Sequence, residues 1–321
     1  MAGTFSTVKK QELETRIVAV KTYKKHHGQL VQRHYQQELW ALRIMNLDSE
    51  AIARKNRVIY LLEAKSTADA YYLTFPYYKY TLLDFLEERD RQFALLAVQQ
   101  MCQGLDFLHS QGIIHCDLSP SNVLVDKVNK ELVLADFGCA HLNSSNVTDP
   151  GSPMEEIGTR YYKAPEHLFG YRVYQPATDI WSLGTVFCHM LLGHPIFDGQ
   201  SDLEQIGIIV RALRAPPAKV KDEEMSMYPD ADKLIFFGDT QQENDDDDDD
   251  DDDDEYDEYD EDTITEENRQ PDIANMPNAK IFGLEAILRQ SFVIPEDQAL
   301  IRRMLTWSIK ERITTKEVNN P

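Results

Sequence analysis

The sequence predicts an α+β protein with two lobes, a small β-rich lobe followed by a larger and mostly helical one. Strand-like runs are concentrated in the first 80 residues, and helical patterns dominate the remainder. The pattern changes after the aromatic stretch at Tyr77–Tyr80. We therefore expect a first lobe over residues 1–76, a hinge over 77–80 and a second lobe over 81–321.

Short β-branched runs define the first lobe. Residues 16–21 are predicted to form a strand that ends in Lys21, and residues 57–62 and 71–75 are predicted to form two more. Residues 29–45 carry apolar side chains at helical spacing. Apolar residues at this spacing are Leu30, Leu39, Leu42 and Met45. The first lobe should thus be a small sheet with one helix.

Helical patterns define the second lobe. Residues 91–109 form an amphipathic pattern, and residues 178–192 are apolar almost all round, which is typical of a buried central helix. Ten consecutive Asp occupy 245–254. Such a run repels itself and cannot bury a core, so we expect 243–270 to be a disordered acidic insert within this lobe.

Composition excludes several classes of protein. The 321 residues are 42% hydrophobic, so the chain can bury a sizeable core, and its net charge of −22 argues against a partner held through nucleic-acid phosphates. The longest apolar stretch, around 183–192, is too short to span a bilayer. The four Cys show no metal-ligand spacing and are too few for a disulfide scaffold. We therefore expect a reducing compartment, the cytoplasm and nucleus.

A lysine and a glutamate are candidates for nucleotide binding. Lys21 ends a predicted strand, and Glu38 lies on the helix that follows. A lysine at a strand end is ordinarily a solvated surface charge. The functional interpretation is that Lys21 holds two phosphates of a nucleotide and that Glu38 steadies it. The sequence contains no G-x-x-x-x-G-K-[ST], which disfavours a P-loop enzyme.

Three oxygen-bearing side chains are candidates for metal binding and proton transfer. Asp136 follows a predicted strand and precedes Phe-Gly, where its carboxylate can approach a magnesium ion that bridges phosphates. Asn122 can supply a second oxygen, which leaves Asp117 to orient a substrate hydroxyl and accept its proton. Taken alone, each Asp is more often a turn residue or a helix cap.

The order of these motifs carries more information than any one of them. The motifs are Val-Ala-Val-Lys at 18–21, Glu38, His-Cys-Asp-(four residues)-Asn at 115–122, Asp-Phe-Gly at 136–138, Ala-Pro-Glu at 164–166, "DIWSLG" at 179–184 and Arg312 in "IKERIT". In this order, and over essentially the whole chain, they resemble the eukaryotic protein kinase family.

The resemblance implies a site for ATP and Mg²⁺. It places Lys21 on the α- and β-phosphates with Glu38 as its ion-pair partner, Asp117 as the base, and Asn122 and Asp136 on the metal. Thr159 matches the Thr that contacts the catalytic Asp in Ser/Thr kinases. The implied nucleotide-binding residues are Gly3, Thr4, Phe5, Val8, Ala19, Lys21, Phe75, Tyr77 and Leu124.

The same resemblance implies two structural roles. Glu166 and Arg312 would form an ion pair in the large lobe, and Asp179 would brace the backbone of the catalytic loop. Independently of the resemblance, we expect His115 to hydrogen-bond the loop backbone and to take no part in the chemistry.

The subfamily can be narrowed. "APEHLFGYRVYQPATDIWSLG" and "HPIFDGQSDLEQIGIIVRAL" are similar to the cyclin-dependent-kinase branch, and the "TFPYY" hinge and "DADKLIFFG" are most similar to the divergent monomeric fungal kinases that activate cyclin-dependent kinases. This implies a monomer without an obligate cyclin, whose protein substrate is the activation-segment Thr of a cyclin-dependent kinase. Another kinase of the branch with a different substrate, and a catalytically weak pseudokinase scaffold, remain open alternatives.

Two departures concern a phosphate switch. Cys116 replaces the Arg that in regulated relatives grips a phosphate on the activation segment, and Met154 stands near the position of the phosphorylated Thr. We expect activity without such a phosphate. The alternative is that the segment is ordered by another route, with Ser152 or Thr148 as the phosphorylated residue.

Four further departures concern phosphate and substrate contacts. Ser119 replaces a Lys that contacts the transferred phosphoryl group, which should lower the rate without abolishing it. Ser6 stands at the third Gly of the phosphate loop, so we expect the first lobe to be incomplete at its start or this loop to be unusually short. Lys163 and Gly158 disfavour a strict requirement for Pro after the target residue.

Overall fold

The computed structural model describes residues 6–143, 159–237 and 283–319. The expected acidic insert at 243–270 lies outside the described residues. So do Gly3, Thr4 and Phe5 of the expected nucleotide pocket, and Thr148, Ser152, Met154 and Gly158 of the expected activation segment.

The first lobe is a four-stranded antiparallel sheet with helices beside it. Its strand order is β1-β2-β4-β3. The strands are β1 (Thr7–Glu12), β2 (Ile17–Lys24), β3 (Glu63–Ser66) and β4 (Ala70–Pro76), and the helices are α1 (Gln29–Ile44) and α2 (Glu50–Lys55). Helix α1 packs against β2, and its Tyr35 ring stacks on Tyr71 of β4 with centroids 4.1 Å apart.

The strand expected at 57–62 is wrong. These residues follow α2 as an extended segment, and β3 begins only at Glu63. Val58 and Ile59 are 1% and 4% exposed. The Ile59 amide donates to the Leu134 carbonyl at 2.9 Å and the Leu62 amide donates to the Thr74 carbonyl of β4 at 2.8 Å, so this segment bridges the second lobe and the first-lobe sheet. Its apolar character reflects burial between the lobes, which an apolar run alone cannot distinguish from a strand.

The second lobe is mostly helical. Two small sheets lie at its junction with the first lobe, one of order β5-β7-β8 and one made of β6 and β9. The strands are β5 (Tyr80–Thr81), β6 (Ile113–Ile114), β7 (Val123–Asp126), β8 (Glu131–Leu134) and β9 (His141–Leu142). The helices are α3 (Arg91–Ser110), α4 (Pro165–Leu168), α5 (Pro176–Leu192), α6 (Asp202–Leu213), α7 (Ala218–Glu223), α8 (Leu284–Gln290), α9 (Pro295–Met304) and α10 (Thr315–Asn319).

The expected central helix is confirmed in α5. It is buried on nearly every side and packs against α3 and α9. At Gly184 a Cβ would lie 2.8 Å from the Cβ of Met304, so only a residue without a side chain permits this approach. The α+β class with a β-rich first lobe and a helical second lobe is likewise confirmed. Across the part of the chain that is described, no helix combines the length and apolar character needed to cross a membrane.

Candidate active site

A buried lysine lies between two carboxylates. Lys21, on β2, is 5% exposed. Its Nζ lies 3.0 Å from Glu38 Oε2, on α1, and 2.8 Å from Asp136 Oδ1, which follows β8. The contact to Asp136 connects the two lobes. The structure therefore brings together three of the side chains that the motifs single out.

Tyr23 supports this cluster, and sequence reasoning missed it. Its hydroxyl donates to Glu38 Oε2. Burial is the largest cause of the raised pKa of Tyr23, so the phenol keeps its proton and remains a donor. Tyr23 follows Lys21 by two residues on the same strand and thus shares its face. That spacing was the available signal.

The cluster holds opposite charges together, with the Lys21 and Glu38 side chains buried and the Asp136 side chain partly exposed. Burial alone lowers the pKa of Lys21, but the carboxylates of Asp136 and Glu38 outweigh it and hold that pKa well above its usual value. Burial alone raises the pKa of Asp136, but Lys21 and the Gly138 amide hold it below its usual value. Lys21 is therefore a fixed cation, suited to phosphate oxygens, and Asp136 a fixed anion, suited to a metal.

The Asp117 carboxylate has a separate set of donors for each oxygen. Asn122 Nδ2 donates to Asp117 Oδ2 and to its backbone carbonyl, both at 2.8 Å. The Thr159 amide and hydroxyl donate to Asp117 Oδ1 at 2.8 and 3.1 Å. Burial, followed by the negative charge of Asp136, raises the pKa of Asp117. The carboxylate is thus oriented and more basic than an exposed one.

Asp179, in the first turn of α5, braces the loop that carries Asp117. Its carboxylate accepts hydrogen bonds from the backbone amides of His115 and Cys116, each at 2.9 Å. His109 Nε2 also donates to this carboxylate, at 2.8 Å. The bracing role inferred for Asp179 is confirmed by these bonds. His115 donates through Nε2 to the Ala135 carbonyl at 3.1 Å and accepts the Asp117 amide at Nδ1, so it is a backbone anchor as expected.

Two residues of the site hold left-handed backbone. Cys116 and Asp136 both have φ of 64°. Such a conformation costs a non-glycine residue about 1–3 kcal/mol and persists only where neighbours enforce it. The Asp179 bond holds Cys116, and the Gly138 amide, which donates to Asp136 Oδ1 at 3.2 Å, holds Asp136. Strained backbone is therefore present at the positions that place the two carboxylates.

Asn122 and Asp136 fit the requirements of Mg²⁺. Because Asn122 Nδ2 is committed to Asp117, its Oδ1 is the atom left to act as a ligand. The Asp136 side chain is 41% exposed, so it is accessible. No three His, Cys, Asp or Glu among the described residues are grouped so as to hold a metal by themselves. Mg²⁺ prefers a site with one or two protein oxygens, in which substrate phosphates and water supply the remaining ligands.

Of the described residues expected to bind the nucleotide, Val8, Ala19 and Phe75 lie on the strands of the sheet that carries Lys21. Val8 is opposite Lys21 in the β1–β2 ladder, and Ala19 is opposite Phe75 in the β2–β4 ladder. Leu124 lies on β7 in the second lobe. Tyr77 is 37% exposed and lies in the short connection between β4 and β5.

The departures at Cys116 and Ser119 leave the catalytic loop without a Lys or Arg at 115–122. Ser119 is 1% exposed, and its hydroxyl shares a hydrogen bond with the Ser121 hydroxyl at 2.8 Å. Within this loop, therefore, Ser119 supplies a neutral hydrogen bond in place of a cation.

Comparisons with known proteins agree with this geometry. A family model described as "Protein kinase domain" matches residues 2–321. The probable serine/threonine-protein kinase glkA of Dictyostelium discoideum is 38% identical over 159 residues, which is 49% of this chain and 32% of the relative. The mitogen-activated protein kinase HOG1 of Gibberella zeae is 30% identical over 230 residues, 71% of this chain and 50% of the relative.

A second mitogen-activated protein kinase, HOG1 of Wallemia muriae, is 39% identical over 131 residues, 41% of this chain and 45% of the relative. The chain thus spans about a third to a half of the length of these curated relatives. The family match extends over nearly every residue, and the motifs that carry it meet around Lys21 and Asp117. The chain therefore belongs to the protein kinase domain family.

Proposed function

We propose that this chain is a serine/threonine protein kinase that transfers the γ-phosphoryl group of ATP to a protein hydroxyl. The observation that carries the proposal is the Asp117 carboxylate, oriented by Asn122 and Thr159, in the same site as the Lys21–Asp136 ion pair. An oriented base and a fixed cation are what phosphoryl transfer requires of a protein.

Each residue has a distinct role in this reaction. Asp117 orients the substrate hydroxyl and accepts its proton as the hydroxyl oxygen bonds to the γ-phosphorus and the bond to the leaving ADP oxygen breaks. Lys21, held by Glu38, binds the phosphates that remain on the nucleotide. A bound magnesium ion, for which Asn122 and Asp136 are the ligands present, would offset the negative charge of the phosphate oxygens.

Thr159 favours Ser and Thr over Tyr as the target. Its amide and hydroxyl both donate to the Asp117 carboxylate, so Thr159 is held next to the proposed base. This contact matches the Thr of Ser/Thr kinases that the sequence resemblance implies.

The proposed substrate is the activation-segment Thr of a cyclin-dependent kinase. The support is the likeness of the hinge and large-lobe stretches to the fungal kinases of that type. The curated relatives described above include mitogen-activated protein kinases, so a substrate of that wider class is the second candidate.

One assay tests these proposals. The protein is incubated with labelled ATP, Mg²⁺ and either an unphosphorylated cyclin-dependent kinase or a general Ser/Thr substrate, and Asp117→Asn is the control. Label on the activation-segment Thr supports the finer proposal, and label on the general substrate alone supports the coarser one. No transfer, equal to that of Asp117→Asn, would indicate a scaffold instead.

We further propose that the protein acts as a monomer in the cytoplasm and nucleus and that it needs no phosphate on its activation segment. The support for the last point is that Cys116 cannot bind a phosphate as an Arg does. Intact mass spectrometry of active protein tests it. A stoichiometric phosphate whose removal abolishes activity would contradict it.

A further inference from the structure

A very short sheet joins the two segments that carry Asp117 and Asp136. β6 pairs with β9 through only two residue pairs, Ile113 with Leu142 and Ile114 with His141. A two-stranded ribbon is at best marginally stable in water. Further contacts must therefore hold β9 against the strand that leads into the catalytic loop.

A stack of three rings supplies such a contact. Tyr174 is 5% exposed. Its ring stacks on His141 with centroids 3.8 Å apart and planes at 12°, and on His167 at 5.0 Å and 26°. His167 is anchored in turn, since its Nδ1 donates to the Tyr171 carbonyl at 2.7 Å and its Nε2 lies 3.0 Å from the Thr178 hydroxyl. The stack thus fastens β9 to the segment between α4 and α5.

The stack is part of a neutral cluster around Cys116. Ile114, Cys116 and Tyr174 form one buried group, with Cys139 packed against it. The Cys116 thiol donates to the Ile114 carbonyl at 3.6 Å. Burial, followed by the neighbouring imidazoles, lowers the pKa of His141 to about 4, and burial lowers that of His167. The ring packing therefore needs no charge at neutral pH.

We propose that Tyr174, clamped between His141 and His167, is a positioning residue that keeps β9 on β6 and thereby sets the relative positions of Asp117 and Asp136. This inference rests on the proposed function. In this protein, packed rings would align the catalytic loop with Asp136. In regulated relatives, the ion pair between an arginine and a phosphate would provide that alignment.

The test compares Tyr174→Ala with Tyr174→Phe and with Phe197→Ala. The last variant is a stability control, because Phe197 is a fully buried ring stacked on Trp181 at 5.9 Å in the connection between α5 and α6. Tyr174→Ala should lower kcat about tenfold and leave the KM for ATP nearly unchanged. The reason is that misaligned carboxylates stabilise the transition state less but do not weaken ATP binding. Tyr174→Phe should retain the wild-type kcat.

His141 offers the second arm. His141→Phe keeps a ring in the stack and should retain activity, whereas His141→Ala should match Tyr174→Ala. A low kcat in either Phe variant would show that a hydroxyl or imidazole hydrogen bond, and not the stack, is responsible. An equal fall of kcat in Phe197→Ala, at the same melting temperature, would show a general effect of lost stability. Either result overturns the proposal.

Hydrogen exchange separates this inference from the proposed function. Tyr174→Ala should speed amide exchange about tenfold in peptides that cover 113–118 and 139–143, and the two Phe variants should not. That result stands even if the protein transfers no phosphate, in which case only the proposed function fails. Unchanged protection of both peptides in Tyr174→Ala would refute the clamp.

Discussion

At the scale of single residues, the site depends on how Asp117 is held. One carboxylate oxygen binds Asn122 and the other binds Thr159, so the group cannot rotate without losing a bond. Asn122 also stands where a metal ligand is expected. It therefore couples the base to the metal, and removing its side chain should affect both.

Asn122→Ala tests this coupling. We expect kcat to fall roughly 10–100-fold and the Mg²⁺ concentration for half-maximal activity to rise, as is typical when a ligand and its support are lost together. The matched control is Asn129→Ala, because Asn129 Nδ2 donates to Asp126 Oδ2 at 2.9 Å in an exposed turn away from the site. A wild-type Mg²⁺ requirement in Asn122→Ala would contradict the assignment of this residue.

Tyr23→Phe tests the support of Glu38. The change removes one charge-assisted hydrogen bond and keeps the ring, so kcat/KM for ATP should fall about tenfold as Lys21 loses its fixed position. Tyr35→Phe is the control, since Tyr35 packs edge-on against Tyr23 with centroids 5.7 Å apart and is also buried. Equal kinetics in the two variants would mean that the Tyr23 hydroxyl does not support the site.

The motif residues could be predicted from the sequence because their order is diagnostic, whereas their neighbours could not. Tyr23 and His34 are buried and polar, and hydrophobic periodicity treats such residues as surface. His34 Nδ1 donates to the Gly138 carbonyl at 2.8 Å. His34 precedes Glu38 by one helical turn, so position alone would have placed it on the same face.

At the scale of elements, a buried ion pair ties the helices of the second lobe together. Arg312 binds Glu166, in α4, through two bonds of 2.9 and 3.1 Å. It also donates to the Ala177 carbonyl in the first turn of α5 at 2.8 Å. The Glu166 and Arg312 side chains are 1% and 0% exposed, so loss of either leaves a buried charge without a partner.

Glu166→Gln should therefore lower the free energy of unfolding by about 3–5 kcal/mol at neutral pH. Burial alone raises the pKa of Glu166, but Arg312 outweighs it and holds that pKa below its usual value of 4.5. The stabilisation is thus complete above about pH 4.5 and is lost as the pH falls through the lower, folded-state value. The difference between variant and wild type should shrink over that acid range.

Denaturant melts at a series of pH values measure this difference. Glu285→Gln is the control, because Glu285 pairs with Arg289 at 3.3 Å and with Arg302, both on the surface, where each such pair contributes about 0–1 kcal/mol. A loss in Glu166→Gln no larger than in Glu285→Gln, or one that does not change with pH, would show that the pair does not hold these elements together.

Periodicity predicted the long helices well and the short segments less well. A helix that is apolar on every side, such as α5, can only be stable when it is buried, so its position is predictable from the sequence. In α1, however, Leu30 is 39% exposed, and the buried face, which includes the expected Leu42, also contains His34 and Glu38. These two polar residues face the Lys21 cluster, which apolar periodicity alone does not reveal. Similarly, 57–62 is apolar because the lobes cover it.

At the scale of the whole molecule, the site exists only because two lobes meet. Lys21 and Glu38 belong to the first lobe, and Asp136 belongs to the second. Among the described contacts between the lobes, two lie at the site itself, Lys21 to Asp136 at 2.8 Å and His34 to the Gly138 carbonyl at 2.8 Å. Both crossings involve β2 or α1, so the orientation of α1 is set by the chain's own residues.

This orientation leads to the prediction that the purified chain is active alone. In a kinase that depends on a partner, the helix carrying the glutamate must be pushed into place, whereas here Glu38 already lies 3.0 Å from Lys21. Added cyclin should therefore change kcat less than about twofold, because a ligand shifts an equilibrium only by its preference for one state. Light scattering coupled to gel filtration, with activity measured across the peak, would test this.

His34→Phe provides the matched variant, since it removes the bond to Gly138 and keeps a ring on α1. We expect it to lower kcat and to create a dependence on a partner that the wild type lacks. Activity that appears in the wild type only in a heavier complex, or that rises steeply with added cyclin, would show that the α1 position is not held by the chain itself.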